Sequence, residues 1–304
     1  MKVEYLQKNG SFLRRCPCSP GRLDCSYHVL SPAMGCPFDC SYCFLNFYMP
    51  ERKIIIHSNL DKMVTEFRAF LDDKTNEFPR IGTGEFMDSM ALKELDDLNM
   101  ELVNTIKEYP KAVIEFKTKS SRIEPFLKQK GAANVVLSWS LNPQWIIDKE
   151  EKGTATLEQR LNAAKEAYKS GYSLAFHFDP IFMKQETLDD YKELVQTIFK
   201  TIDPAAVKWF SLGGFRYTED LKHAILNKNN GEKWYLGEEY VRCSDGKYRF
   251  PKNLRIKFYN ELGNEIKKNG DIRTYMCMEE EAIWEKIKWG KSSLMKSLHP
   301  LTPA

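Results

Sequence analysis

The feature that most constrains the fold of this chain is an alternation that runs from residue 27 to residue 215. Short apolar runs of strand period are followed, about six times over, by longer segments of helical period. The strand-like runs are "SYHVLSPAM", "PRIGTGEF", "AVIEFKTKS", "NVVLSWSLN", "SLAFHFDPIF" and "VKWFSLGGF". Between them lie "NLDKMVTEFRAFLDD", a helix from about Ala91 to Glu108, "IEPFLKQKG", "TLEQRLNAAKEAYKSG" and "TLDDYKELVQTIFKTI". Gly131 is expected to cap the third of these helices. In the fourth, Leu157, Leu161, Ala164 and Tyr168 fall on one face and Gly171 ends it. Such βα units in succession build a parallel sheet with helices outside it, and six right-handed units curl into an open, partial barrel. Functional groups then gather at the C-terminal strand ends.

Beyond Phe215 the rhythm breaks. "NKNNGEKW" reads as a loop, "LRIKFYNELGNEIKKNG" as a helix, and "EEEAIWEKIKWGKSSL" as a last helix with a basic end. The expected organisation is a cysteine-rich segment over 1–26, the barrel over 27–215, and an α-rich extension over 216–304 that closes the barrel mouth. No run of eighteen apolar residues appears, so no spanning helix is expected. The start, "MKVEYLQKNGSFLRR", lacks the apolar core of a secretory signal, so the expected location is the cytoplasm.

Six of the eight cysteines, Cys16, Cys18, Cys25, Cys36, Cys40 and Cys43, crowd into the first 43 residues. In a reducing compartment this reads as metal or cluster ligation before disulfide bonding. Cys36, Cys40 and Cys43 stand at C-x-x-x-C-x-x-C spacing between the first strand and the first helix. Incidental buried cysteines are one reading. A zinc site is another, needing a fourth ligand such as Cys25 or His28. The third is a four-iron, four-sulfur cluster on three thiolates, with one iron open to a small molecule.

The spacing and its place in a βα barrel resemble the signature of the radical SAM superfamily. The resemblance implies that the open iron binds S-adenosylmethionine and that reductive cleavage yields a 5′-deoxyadenosyl radical. It implies that Tyr42 lies against the adenine and that "GTGE", with Gly84 and Glu85, contacts the methionine amino group. Other strand-end groups fit the same scheme. Lys119 offers a point charge to the methionine carboxylate, with a solvated lysine as the alternative. Ser138, Ser140 and Asn142 offer polar groups to ribose or carboxylate. His177 and Asp179, two apart on a strand, share one face, which suits either the cofactor or a core pair. Arg216 follows a Gly-Gly turn where an anionic substrate group would bind, or where it is simply solvated.

More narrowly, the stretch from Cys25 to Phe215 resembles the spore photoproduct lyases. The likeness rests on "CSYC", "TKS", "SWSLN", the helix and turn with Arg160, Ala163, Ala164, Gly171 and Tyr172, then "HFDPI" and "SLGGFR". It implies a partial (β/α)6 barrel and radical repair of a thymine–thymine photolesion in DNA. It also implies a reduced flavodoxin- or ferredoxin-type electron donor. The chain departs from that pattern at the end of the second strand, where the family carries a hydrogen-donating cysteine. Here Glu85 or Phe86 occupies the place. A carboxylate cannot replace a thiol as hydrogen-atom donor, because its O–H bond is far stronger. Cys277 is the candidate substitute. Cys16, Cys18 and Cys25, with Cys277 or Cys243, are candidates for an auxiliary cluster or a zinc, or for free thiols at the mouth.

The net charge is only +3, weaker than most nucleic-acid-binding domains show. Arg14, Arg15, Lys117, Lys128 and Lys130, with Trp284 and Trp289, are compatible with phosphate and base contacts. A radical modification of a peptide or small metabolite, and a zinc-stabilised nucleic-acid-binding protein without catalysis, remain the alternatives.

Overall fold

The computed structural model describes residues 2–228 and 231–289. Its main sheet has eight strands, which neighbour one another in chain order: β1 (Leu13–Arg15), β2 (Tyr27–Leu30), β3 (Arg80–Gly82), β4 (Val113–Thr118), β5 (Val135–Ser140), β6 (Ser173–Ile181), β7 (Val207–Gly214) and β8 (Thr274–Met276). Strands β2 to β8 are parallel, and β1 runs antiparallel on the β2 edge. All six residues of β5 are buried, as a strand must be when helices cover one face and a packed lumen the other.

Four amphipathic helices lie on the outside: α1 (Leu60–Asp72), α2 (Asp96–Lys107), α3 (Leu157–Lys169) and α4 (Leu188–Thr201). Helix α3 starts on a reciprocal capping box, Thr156 Oγ1 accepting from Gln159 N and Gln159 Oε1 accepting from Thr156 N. A fifth long helix, α5 (Lys252–Lys267), packs beside α4 and leads to β8.

One buried side chain touches both ends of the curled parallel sheet. Arg80, on β3, places its guanidinium 4.9 Å from the Tyr27 ring on β2, 4.2 Å from Trp209 on β7 and 4.9 Å from Tyr275 on β8. Its Nη2 donates to the Tyr275 hydroxyl at 2.6 Å. The first and last parallel strands therefore meet around a single buried cation, and the aromatic faces offset part of its desolvation.

Several expectations are corrected. The run "SYHVLSPAM" is not one strand. After Leu30 the chain leaves the sheet at Pro32, and Ala33–Met34 pairs instead with Ile54–His57, which also pairs with Val3–Leu6. The helix placed from Ala91 begins as a 3-10 turn at Lys93 and becomes α-helical only at Asp96. "IEPFLKQKG" forms a single helical turn, Glu124–Leu127. Gly131 does not cap it; a Cβ there would lie 2.6 Å from the backbone of Gly171 and Tyr172, so the glycine permits a close crossing. Gly171 does end α3, with φ +92°. Tyr168 is off the α3 core stripe, which runs through Leu161, Ala164 and Ala167, and is 39% exposed. The expected last helix is a turn, Glu281–Trp284; its basic end, and Asn229 and Asn230 of the "NKNNGEKW" loop, lie outside the described residues. Among the described residues no helix is long and apolar enough to cross a membrane.

Candidate active site

The cysteine loop leaves the C-terminal side of β2 and is clamped before it reaches its short helix, Leu45–Tyr48. Asp39–Cys40 pairs antiparallel with Glu151–Lys152, and Ser41 N donates to the Glu150 carbonyl at 2.8 Å. Asn46 Nδ2 donates to the carbonyls of Cys40 (3.3 Å) and Ser41 (2.9 Å). Cys36, Cys40 and Cys43 line one cavity together with Asn46, Arg52 and Lys53. Burial pushes the Cys36 thiol up to about 12, and pushes Cys40 and Cys43 up as well. Among the described residues no three His, Cys, Asp or Glu groups, Cys16, Cys18 and Cys25 included, converge on a point suited to one metal ion. Three protonated thiols around a shared cavity, with no fourth protein ligand among its lining residues, fit a multi-iron cluster better than a tetrahedral zinc.

The clamp itself is a buried carboxylate. Glu151 Oε1 accepts from the Tyr42 hydroxyl at 2.5 Å and from Asn142 Nδ2 at 2.8 Å, while Oε2 accepts from Arg160 Nη2 at 2.6 Å. Burial works against ionisation, but Lys119 and Arg160 hold this carboxyl down to about 2. Arg160 also donates to the carbonyls of Ala155 and Ser140. Asn142 Oδ1 accepts from Tyr191, so both ends of the Asn142 amide are engaged within the chain. The Tyr42 ring meets Phe182 edge-on at 5.4 Å and lies 5.9 Å from the Lys119 ammonium.

Strand β4 continues the site inward. Glu115 and Lys117 share one face of it, and Lys119 lies just past its end. Glu115 Oε1 lies 2.5 Å from His177 Nε2, and its Oε2 is 3.6 Å from Arg80 Nη2. Against its burial, His177 and Arg80 hold Glu115 well below the usual carboxylate range; burial pushes His177 below the usual imidazole range. Asp88 fixes the strand end, its Oδ1 accepting from Thr118 Oγ1 at 2.7 Å and its Oδ2 from Lys119 N at 2.7 Å. Among the described residues neither the Lys117 nor the Lys119 ammonium has a hydrogen bond or ion pair to the protein. The Ser138 hydroxyl donates to the Phe116 carbonyl at 3.5 Å, and Ser140 is buried beside it on β5.

Gly84 and Glu85 follow β3. A Cβ on Gly84 would lie 2.9 Å from Ser89 Oγ and 3.1 Å from Lys117 Cβ, so the protein's own packing already demands glycine there. The Glu85 carboxylate is ion-paired with Arg14 on β1. At the far strand ends, Arg216 Nη1 donates to Asp179 Oδ1 and to the Gly214 carbonyl, each at 3.1 Å. Cys277, just past β8, has its amide on the Leu212 carbonyl at 2.7 Å. Burial, with Asp179 nearby, pushes its thiol up. The Cys16 thiol is raised by a hydrogen bond with Cys18 and by burial, and Cys25 by burial. Cys16 and Cys25 are close enough to bear on Cys277, so these thiols cluster on one side of the lumen.

Sequence reasoning missed Glu151, Glu115, Arg80 and Asp88. The i, i+2, i+4 pattern of Glu115, Lys117 and Lys119 was the one signal available. Glu151, in "DKEEKG", looks like any solvated helix end.

The sequence model of the spore photoproduct lyase family matches residues 24–296. The chain is 24% identical over 239 residues to the spore photoproduct lyase of Geobacillus sp. (strain Y412MC61), covering 77% of this chain and 70% of that protein. It is 25% identical over 229 residues to the enzyme of the same name from Bacillus subtilis (strain 168), covering 74% and 67%. In structure it resembles a spore photoproduct lyase variant with bound AdoMet and dinucleoside spore photoproduct, with a TM-score of 0.79 at 20% identity over 91% of this chain and 82% of the other.

Proposed function

This chain belongs to the spore photoproduct lyase family, and with it to the radical SAM enzymes; on that premise we propose that it splits a thymine–thymine photolesion of DNA at the open face of its barrel. The observation that carries the reading is the cysteine cavity at the strand ends, near Lys119, whose ammonium makes no hydrogen bond or ion pair among the described residues and faces the Tyr42 ring. Cys36, Cys40 and Cys43 would hold a four-iron, four-sulfur cluster, releasing their protons as they ligate. When bound with S-adenosylmethionine, that group supplies a 5′-deoxyadenosyl radical by one-electron cleavage of the sulfonium C–S bond.

The chain's own residues then bind and orient. Lys119 would pair with the methionine carboxylate, and Tyr42 would present its ring to the adenine. Gly84 and the backbone of Glu85 serve the methionine amino group, the Glu85 carboxylate being held by Arg14. Ser138 and Ser140 offer hydroxyls from β5. Asn142 acts by holding Glu151, and His177 and Asp179 by holding the lumen charges in place. Arg216 faces the anionic part of the substrate. Cys277 gives a hydrogen atom to the substrate carbon radical: its S–H bond breaks, a C–H bond forms, and sulfur is left as the thiyl radical. We take Cys16, Cys18 and Cys25 as supporting thiols rather than an auxiliary cluster or zinc, since among the described residues they do not converge on a point suited to one metal ion. The electron donor is proposed as a reduced flavodoxin- or ferredoxin-type protein, and the setting as the cytoplasm.

The test is anaerobic reconstitution with iron and sulfide, followed by assay of 5′-deoxyadenosine with and without UV-irradiated DNA. Stimulation by lesion-bearing DNA with loss of the lesion is expected. Cleavage that ignores the lesion would overturn the repair reading and leave radical chemistry on another substrate.

A further inference from the structure

A Cys277 thiyl radical left by hydrogen donation has to become a thiol again before a second lesion can be repaired. Asp179, Arg216, Cys25 and Cys16 bear on this sulfur. A carboxylate or a guanidinium cannot give it a hydrogen atom, because their O–H and N–H bonds are far stronger than the S–H bond formed. A thiol can, since the bond broken matches the bond made. The chain holds its thiols in place for this. The segment from Cys16 to Cys25 leaves β1, crosses to the residues just past Cys277 and returns to β2. Leu23 N donates to the Glu279 carbonyl at 3.1 Å, Arg22 Nη1 lies 3.3 Å from Glu280 Oε2, and Cys16 N donates to the Tyr27 carbonyl at 2.8 Å.

Backbone strain marks the same two places. Ser26 takes φ +56° and Met278 φ +60°, so a left-handed residue directly follows each of Cys25 and Cys277. Such residues are uncommon there, and strain of this kind gathers at functional sites. Cys16 and Cys18 form a pair of their own. Cys18 N donates to the Cys16 carbonyl at 2.8 Å, closing a three-residue turn whose central residue, Pro17, has its φ fixed by the ring near the value such a turn uses. The turn brings the two side chains together, and Cys18 is the hydrogen-bond partner of the Cys16 thiol. Pro17 is exposed and both thiols are half-buried, so the pair is within reach of a reductant in solution.

We propose that Cys16 and Cys18 are the dithiol that resets Cys277. The Cys16 S–H bond breaks as the Cys277 S–H bond forms, which leaves the radical on Cys16. Cys16 then joins Cys18 in an S–S bond; the Cys18 proton goes to water, and one electron goes to the iron–sulfur cluster, which S-adenosylmethionine cleavage has oxidised by one electron. A dithiol reductant reopens the disulfide by exchange and is itself left as a disulfide. The inference rests on the lesion reading above, with Cys277 as donor, and adds what restores that donor.

The experiment uses the anaerobically reconstituted wild-type protein, reduced once and then freed of excess reductant and of added thiols. It is mixed with S-adenosylmethionine and lesion-bearing DNA, quenched in acid and alkylated, and its cysteine peptides are read by mass spectrometry. A Cys16–Cys18 disulfide is expected in step with the lesions repaired, roughly one for one, and none without the lesion. Diamide, a thiol oxidant, should form the same disulfide in the metal-free protein while Cys277 is still alkylated. Cys277→Ala should form none during turnover. Repair that leaves both thiols alkylated, failure of Cys16 and Cys18 to join under diamide, or an undiminished disulfide in Cys277→Ala overturns the dithiol alone. Because the wild-type peptides decide the matter, misfolding of the variant does not blunt it. No loss of the lesion overturns the lesion reading and this inference with it.

Discussion

The hydroxyl of Tyr42 is bonded to the carboxylate of Glu151 at 2.5 Å, although 109 residues separate them. Through this bond the cysteine loop, the end of β5 and helix α3 share one buried anion, since Asn142 and Arg160 bind the same carboxylate. The ring that faces the proposed cofactor is therefore positioned by a residue that never touches it.

Removing that anion should be costly. Glu151→Ala leaves Arg160, which has no exposed side-chain surface, without its counter-ion. We expect a loss of about 3–5 kcal/mol of unfolding free energy, the usual consequence of breaking a buried pair from one side. Urea denaturation of the metal-free protein measures it, and a loss below about 1 kcal/mol would show that Glu151 is not the clamp described.

The thiols of the cluster loop predict an alkaline limit. Cys36 is raised from an ordinary 9.0 to about 12 by burial, so the fold prefers the neutral thiol. A group raised in the folded state contributes stability below its unfolded value and loses it as pH climbs toward the folded one. The metal-free protein should lose thermal stability between about pH 9 and 12, and Cys36→Ser should flatten that slope. Iron-loaded protein should not show the Cys36 contribution, because ligation fixes the thiolate. Replacing any one of Cys36, Cys40 or Cys43 by Ala should abolish the thiolate-to-iron absorbance after reconstitution, whereas Cys243→Ala should leave it.

His57 predicts an acid limit. It is buried, packed edge-on against Phe12 at 5.6 Å, and among the described residues neither ring nitrogen has a hydrogen-bond partner. Burial, then Lys8, lowers it below its ordinary 6.5. A histidine depressed in the fold contributes stability above its unfolded value, and that contribution is lost as pH falls below about 6.5. Unfolding free energies at pH 7.5 and 5.5 should differ in wild type by more than in His57→Leu. Identical pH slopes would place the acid sensitivity elsewhere, His28 being the next candidate by the same logic.

Cys277 is tested by isotope. In deuterated water its thiol exchanges to S–D, so thymine repaired with Cys277 as the donor should carry deuterium. Cys277→Ala should lose that label while still forming 5′-deoxyadenosine, and mass spectrometry of the product reads the difference. Undiminished labelling in the variant would move the donor to Cys16 or Cys25.

Much of this architecture was legible before any coordinates. Periodicity marked the strands and helices of the barrel because burial on one or two faces leaves a repeating trace in the chain. It failed where local sequence is ambiguous. "EEEAIWEKIKWGKSSL" has helical composition, yet among the described residues only Glu281–Trp284 is helical. The stretch around Thr274 carries too short an apolar run to announce β8, although that strand extends the barrel sheet beside β7.

The cysteine triplet, its place between first strand and first helix, and the order of βα units can all be read along the chain. These are properties of neighbours along the chain, where spacing and period are the whole signal. How the charges pair depends on contacts between distant strands. Nothing local links Tyr42 to Glu151, Arg80 to Tyr275 or Lys247 to Ser19, because the desolvation that makes each contact matter arises only once distant strands close around it.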